Sequence, residues 1–165
     1  MTELGDVVYV VGRRSSIIKT FSVDTLSPVG EDIHVNGMRR PRDIVARDGH
    51  LYVADYECIW RVSVDDHSYV KWLWSKKVNA LSVTSRGLLV TSSSRFTPPS
   101  SLREYNTTDR QLLRDVKLPV YVDWLFHGVE TSRGTFIISH FGTSEDWMQM
   151  AVSELLSCHH MYCHE

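Results

Sequence analysis

The densest set of potential ligands in this chain lies at its end. Ser157-Cys158-His159-His160-Met161-Tyr162-Cys163-His164-Glu165 brings thiols and imidazoles together within a few residues. Thiolate and imidazole are the usual ligands of zinc. A structural zinc site, however, sets one Cys-x₂₋₄-Cys pair against a second ligand pair at a distance, and no second pair is present here. Residues 157–165 therefore read as a frayed tail behind a folded unit spanning 1–156. Nucleophile elbows, phosphate-cradling glycine loops, His-Glu-x-x-His and Cys-x-x-Cys are all missing. With 3 cysteines, an odd number, the chain carries no disulfide framework, and a reducing, cytoplasmic setting is expected. What remains chemically notable is cationic: Arg13-Arg14, Arg39-Arg40 with Arg42, and Lys76-Lys77 stand in short clusters, in a chain of net charge -2. Where those clusters point depends on the elements between them.

Those elements repeat. The stretch Pro41 to Val62 holds an apolar segment at Ile44-Val45 and a tight turn at Asp48-Gly49. A β-rich return, Leu51-Tyr52-Val53-Ala54, follows, then a second turn and the run Ile59-Trp60-Arg61-Val62. The Leu-Tyr-Val-Ala run recurs as Val8-Tyr9-Val10-Val11, Leu88-Leu89-Val90-Thr91 and Phe136-Ile137-Ile138-Ser139. The run after the second turn recurs in step, as Ile17 to Phe21, Leu102 to Tyr105 and Val152 to Leu155. A period of roughly 40 residues built from four short strands marks a β-propeller blade.

The expected fold is thus all-β, a propeller of four-stranded antiparallel blades with about three and a half to four blades present. Tyr52, Val53, Leu89, Val90, Ile137 and Ile138 should sit in middle strands. Blade one is expected to open at its second strand, with no first strand ahead of Val7, followed by strands at 16–23 and 29–35. Blade two is complete, with strands near 42–47, 50–55, 58–64 and 69–75. Alternation puts Trp72 and Trp74 on one sheet face, packed between blades. Blade three carries a long Ser/Pro-rich loop at 92–101, expected to be exposed and mobile, with Phe96 as an aromatic contact. Counting strands this way leaves the ring open, and open edges invite self-association.

Blade two resembles the NHL repeat, which reads Pro-x-Gly-Ile-Ala-Val, Asp-x-x-Gly, Ile-Tyr-Val-Ala-Asp and then an Arg-Ile-x-Val strand. Pro41, Ile44, Asp48, Gly49, Leu51 to Asp55, Ile59 and Val62 match. Asp43 replaces the family's glycine, and Cys58-Ile59-Trp60 lacks its arginine. The resemblance implies a six-bladed ring, of which this chain is part, acting without catalysis as a scaffold for protein or RNA. Similar propellers, the gluconolactonase-like and paraoxonase-like hydrolases, hold calcium in the central channel through Glu, Asn and Asp. By that resemblance the alternative is a calcium-dependent hydrolase using Asp43, Asn79 and Glu130, which requires the three to converge. No cofactor is otherwise expected.

Propeller geometry also sorts the charges. Loops joining second to third strands share a face with the blade-to-blade connections. That face receives Arg13, Arg14, Arg39, Arg40, Arg42, Lys76, Lys77, Arg95 and Lys117, half of the 18 basic residues, against Asp55, Glu57, Glu145 and Asp146. The opposite loops hold Arg47, Arg86, Arg110 and Arg133 against Asp24, Asp48, Asp65, Asp66 and Asp109. The partner-binding set is therefore Arg13, Arg14, Arg39, Arg40, Arg42, Lys76, Lys77, Arg95 and Phe96, offered to an acidic protein segment or a phosphate backbone. Composition, 42% apolar and 23% charged over 165 residues, is ordinary for a globular domain. No apolar run approaches the ~18 residues of a membrane span, and Met-Thr-Glu-Leu-Gly-Asp does not read as a secretory signal.

Overall fold

The computed structural model describes residues 1–93, 100–120, 122, 124–141 and 150–155, and among these every regular element is a β-strand. The first sheet holds β1 (Thr2–Leu4), β2 (Val7–Val11), β3 (Ile17–Ser22) and β4 (Ile33–His34). The second holds β5 (Asp43–Arg47), β6 (His50–Ala54), β7 (Cys58–Ser63) and β8 (Tyr69–Trp74). The third comprises β9 (Val78–Val83), β10 (Leu88–Ser92), β11 (Ser101–Tyr105) and β12 (Leu112–Val116). The fourth comprises β13 (Trp124–Glu130), β14 (Phe136–Phe141) and β15 (Met150–Leu155). All neighbours are antiparallel and follow chain order. The first strands β1, β5, β9 and β13 pack side by side in succession, which makes each sheet one radial blade.

Period-two alternation explains why blade two is apolar on both faces. Leu51 and Val53 of β6 turn toward blade one, joining Tyr9, Ile18 and Ile33. Tyr52 and Ala54 turn the other way and join Trp72, Val78, Leu81 and Leu88 against blade three. A third core, around Leu89, Leu102, Leu125, Phe136 and Ile138, joins blades three and four. Each fully buried Leu, Val or Phe here is worth about 1.5–3 kcal/mol in removed apolar surface.

Side chains satisfy backbone groups where adjacent inner strands meet. Thr2 Oγ1 accepts the Ala46 N–H at 3.1 Å, and Asp43 Oδ2 accepts the Leu81 N–H at 2.8 Å. Asn79 Nδ2 donates to the Leu125 carbonyl at 2.9 Å, and Ser82 Oγ to the Gly128 carbonyl at 2.7 Å.

The structure departs from the sequence reading at several points. Blade one does have a first strand: β1 pairs Thr2 with Tyr9 and Leu4 with Val7. At three residues, it is too short to show an alternation. The strand count is accordingly four, four, four and three among the described residues rather than three, four, four and three. The fourth strand of blade one is only Ile33–His34, preceded by an isolated bridge from Phe21 to Pro28, so 29–35 was too long. Trp72 and Trp74 do not share an environment. Trp72 is buried edge-on against Tyr52 and Tyr105, whereas Trp74 is 68% exposed at the end of β8, beyond the register shift at Ile59/Trp60.

Candidate functional site

Hydrogen bonds between neighbouring loops assemble one face of the blades. The Val35 N–H donates to the Ser16 carbonyl at 2.9 Å, tying the β4–β5 connection to the β2–β3 loop. The Lys77 N–H reaches the Tyr56 carbonyl at 3.2 Å, and the Ser93 N–H reaches the Lys77 carbonyl at 3.2 Å, so blades two and three are joined in the same manner.

Asp55, at the end of β6, organises the connection that enters blade two. Its Oδ2 accepts the Arg39 N–H at 3.0 Å and the Trp60 Nε1–H at 3.1 Å; its Oδ1 accepts the Arg40 N–H at 2.7 Å and the Tyr56 N–H at 2.8 Å. Burial raises the carboxyl pKa, but these four donors outweigh it and hold the group below the ordinary aspartate value. Asp55 is 4% exposed, which corrects its placement among the surface charges of this face. The Arg42 N–H, bonded to the Ala54 carbonyl at 2.9 Å, and buried Pro41 complete the anchoring. The result is a fixed backbone carrying exposed Arg39, Arg40 and Arg42.

Arg40 and Arg42 meet Arg13 and Arg14 of the β2–β3 loop. Together with Val11 and Pro41 they line a cleft of about 530 Å³ that has no carboxylate among the described residues of its wall. Arg14 is in the left-handed region at φ 68, in a turn closed by the Ser15 N–H to the Gly12 carbonyl at 3.0 Å. The Arg42 guanidinium donates to Asn79 Oδ1, and Arg40 lies 5.4 Å over the Tyr56 ring. Arg39 lines an adjoining hollow, and Arg40 borders that hollow as well, together with Asp55, Tyr56, Glu57 and Lys71. Lys76, Lys77 and Lys117 border a larger hollow of about 870 Å³ between blades two and three, beside Trp74. Arg95 and Phe96 lie outside the described residues, as do Glu145, Asp146 and the Cys/His tail. Among the described residues, the loop face thus carries eight of the nine expected cations, with Glu57 its one exposed carboxylate.

Sequence reasoning missed the aromatic surroundings of these cations. Lys71 lies 4.5 Å over Trp74 and 5.4 Å over Trp60, its partner across β7 and β8 beside a register shift that the sequence did not reveal. Cys58, beneath the same region, is 2% exposed; burial first and Asp55 second push its thiol to about 11, far from nucleophilic at neutral pH.

No family model matches this chain, and no curated protein matches it. Solved structures do. The N-terminal domain of Nup159, itself a propeller, superposes with a TM-score of 0.60 at 13% identity, covering 91% of this chain and 41% of that one. The chain has a β-propeller fold. A chain of a Saccharomyces cerevisiae structure of Dbp5 bound to Nup159, Gle1, IP6 and ADP gives 0.58 at 14% identity, covering 91% and 40%. The propeller described here thus spans about two fifths of the length of the solved chains it matches. Among the described residues, no helix is long and apolar enough to cross a membrane.

The channel-side donors of this propeller do not converge. Asp43 opens β5, where its carboxylate accepts the Ile44 and Leu81 N–H groups; Asn79 is held between Arg42 and the Leu125 carbonyl. Glu130 closes β13 and accepts from Arg114. It stands five residues past Leu125, about 16 Å along the strand. Asp43, Asn79 and Glu130 therefore do not fit a shared calcium ion, and no group of three or more potential metal ligands occurs among the described residues.

Proposed function

We propose that this propeller is a non-enzymatic scaffold that binds an acidic protein segment through its basic loop face. The observation that carries the reading is the cleft lined by Arg13, Arg14, Arg40 and Arg42, with no carboxylate among the described residues of its wall. Arginine gathered on fixed backbone is suited to acidic recognition, because its planar fork meets carboxylate or phosphate oxygens in pairs. A similar propeller occurs in an assembly with other proteins, which supports a protein partner. The hydrolase alternative gains no support from the dispersed Asp43, Asn79 and Glu130.

The NHL-like, six-bladed reading belongs to the same proposal. It is supported by Asp55, the closing residue of the Tyr-Val-Ala-Asp run, which fixes the incoming connection. Self-association through the lateral faces of blades one and four is also part of it, and a sedimentation profile that stays monomeric as concentration rises would remove that part.

The main test replaces Arg39, Arg40 and Arg42 together by Glu and follows binding to acidic peptides and to single-stranded RNA across salt concentrations. Peptide binding by the unmodified protein, weakened by the reversal and by salt, is the expected result. Preference for RNA, with a steep dependence of log K on log salt, replaces the protein partner by a nucleic acid. Failure to bind either ligand at low salt sinks the basic-face reading.

A further inference from the structure

We propose that the cleft between Arg13–Arg14 and Arg40–Arg42 recognises a phosphate monoester, carried by a phosphorylated side chain of the bound segment. This deepens the scaffold reading and rests on it. The cleft differs from a diffuse basic surface in how its walls are made. The Arg13–Arg14 wall is a closed turn, pinned at one end by the Ser15 N–H to the Gly12 carbonyl and at the other by the Ile17 N–H to Ser15 Oγ at 3.1 Å. Arg14 holds a backbone conformation that L side chains seldom adopt and that glycine would occupy without strain. Positive φ is shared by five other described non-glycine residues, Arg110 among them, so at Arg14 it fixes the turn, and the role of the side chain is argued from the cleft that Arg14 lines. The opposite wall is anchored by Asp55 through the Arg39 and Arg40 N–H groups. Of its side chains, Arg42 donates to Asn79 Oδ1, and Arg40 lies over the Tyr56 ring where the cleft borders the adjoining hollow.

The charges of the cleft are also left uncompensated. Elsewhere Lys19, Arg47, Arg86, Arg103 and Arg114 pair with carboxylates, whereas Arg13, Arg14, Arg40 and Arg42 form no ion pair among the described residues. Four arginines lining one space favour a compact, doubly charged oxyanion with three acceptor oxygens over a singly charged carboxylate or phosphodiester. At about 530 Å³ the cleft also has room for the residues on either side of a phosphorylated one. Arginine clusters are a recurring solution for phosphorylated segments.

The test measures binding of one acidic peptide in three forms, with phosphoserine, serine or glutamate at its centre, alongside inorganic phosphate and single-stranded RNA of equal charge. The phosphoserine form is expected to bind at least about tenfold tighter than the glutamate form. Arg14→Gly, which keeps the turn unstrained, and Arg40→Gln should each weaken it about tenfold or more. Arg110→Gln removes the same charge from the opposite face and should change binding less than about threefold. If Arg110→Gln costs as much as Arg14→Gly, the cleft is not a site and only non-specific charge attraction survives. RNA binding as tight as the phosphopeptide overturns the monoester. Displacement of the peptide by an equal concentration of inorganic phosphate overturns the protein-borne source. Absence of binding by every anion at low salt removes the scaffold reading together with this one.

Discussion

Arginines on the two faces of this propeller meet different fates. On the face made by the turns at 48–49, 84–87, 106–111 and 131–135, several are built into the fold, although Arg110 and Arg133 stay exposed. Arg86 and Arg114 converge on Glu104, Arg114 also reaches Glu130, and Arg47 pairs with Asp48 while donating to the Thr84 and Gly87 carbonyls. On the loop face, Asp55 is occupied by backbone N–H groups, and Arg13, Arg14, Arg40 and Arg42 are left to solvent around a cleft. The chain as a whole has net charge -2. Placement rather than composition therefore separates a face that ties blades three and four together from one that is available to a partner.

The largest expected effect comes from breaking the internal network. Glu104 has no exposed side-chain surface, and it accepts from Thr84, Arg86 and Arg114. Glu104→Ala leaves these donors without their shared carboxylate and should cost about 3–5 kcal/mol in denaturant unfolding. Glu104→Gln retains an acceptor for Thr84 and should cost less. If the faces are separate in role, the folded fraction of either variant binds the loop-face ligand normally. A weakened ligand at constant folded fraction would merge the two roles.

A smaller loss, about 2–3 kcal/mol, is expected for Asp55→Asn, since an amide presents its own N–H groups to some of the four donors now satisfied. This variant should also weaken ligand binding, because Arg40 loses its anchored backbone while Arg42 keeps only its bond to the Ala54 carbonyl. The pH dependence has a defined sign. Burial opposes ionisation of Asp55 and of Glu104, but hydrogen bonds to Asp55 and the Arg114 and Thr84 bonds to Glu104 prevail, so both folded-state pKa values are lowered. Groups depressed on folding contribute stability that is fully present above their ordinary values near 4 and is lost as pH falls through the folded values. Unfolding free energy should thus hold level above about pH 5 and decline below about pH 4, with a shallower decline in Asp55→Asn and Glu104→Gln. An acid limb identical in all three proteins would mean that neither carboxylate is ionised in the fold as described.

Much of the architecture was legible because strands repeat. Tyr9, Tyr52, Leu89 and Ile137, aligned by pattern alone, occupy β2, β6, β10 and β14. The strands of blade two fall within a residue of their expected bounds, since apolar alternation there is uninterrupted and flanked by turn residues. Thr2–Leu4 escaped because Thr-Glu-Leu offers no period, although Gly5, at φ 60, with Asp6 is a hairpin signal that could have revealed it. The loop face could be sorted from topology, but not the burial of Asp55 or the gathering of Arg13 with Arg42, which depend on how two connections lie against each other. Asp43, Asn79 and Glu130 illustrate the converse. Their place near inner strands was readable, but the register that separates them was not.

The smallest effect offers the sharpest comparison between faces. Arg14 on the loop face and Arg110 on the opposite face are both in the left-handed region, at φ 68 and φ 65. Each closes a turn by backbone hydrogen bonding, Ser15 N–H to the Gly12 carbonyl in one case and Arg110 N–H to the Asn106 carbonyl in the other. Glycine relieves about 1 kcal/mol of conformational strain at such a position and returns part of that through greater freedom of the unfolded chain. Arg14→Gly and Arg110→Gly should therefore shift stability alike, by no more than about 1 kcal/mol and in the stabilising direction, in parallel urea titrations. Only Arg14→Gly should weaken the phosphorylated ligand. A site whose removal leaves the protein as stable or more so, while binding falls, is one where local strain is tolerated for recognition. Equal binding by the two glycine variants would instead make Arg14 a turn residue like Arg110, and the contrast between the faces would rest on charge alone.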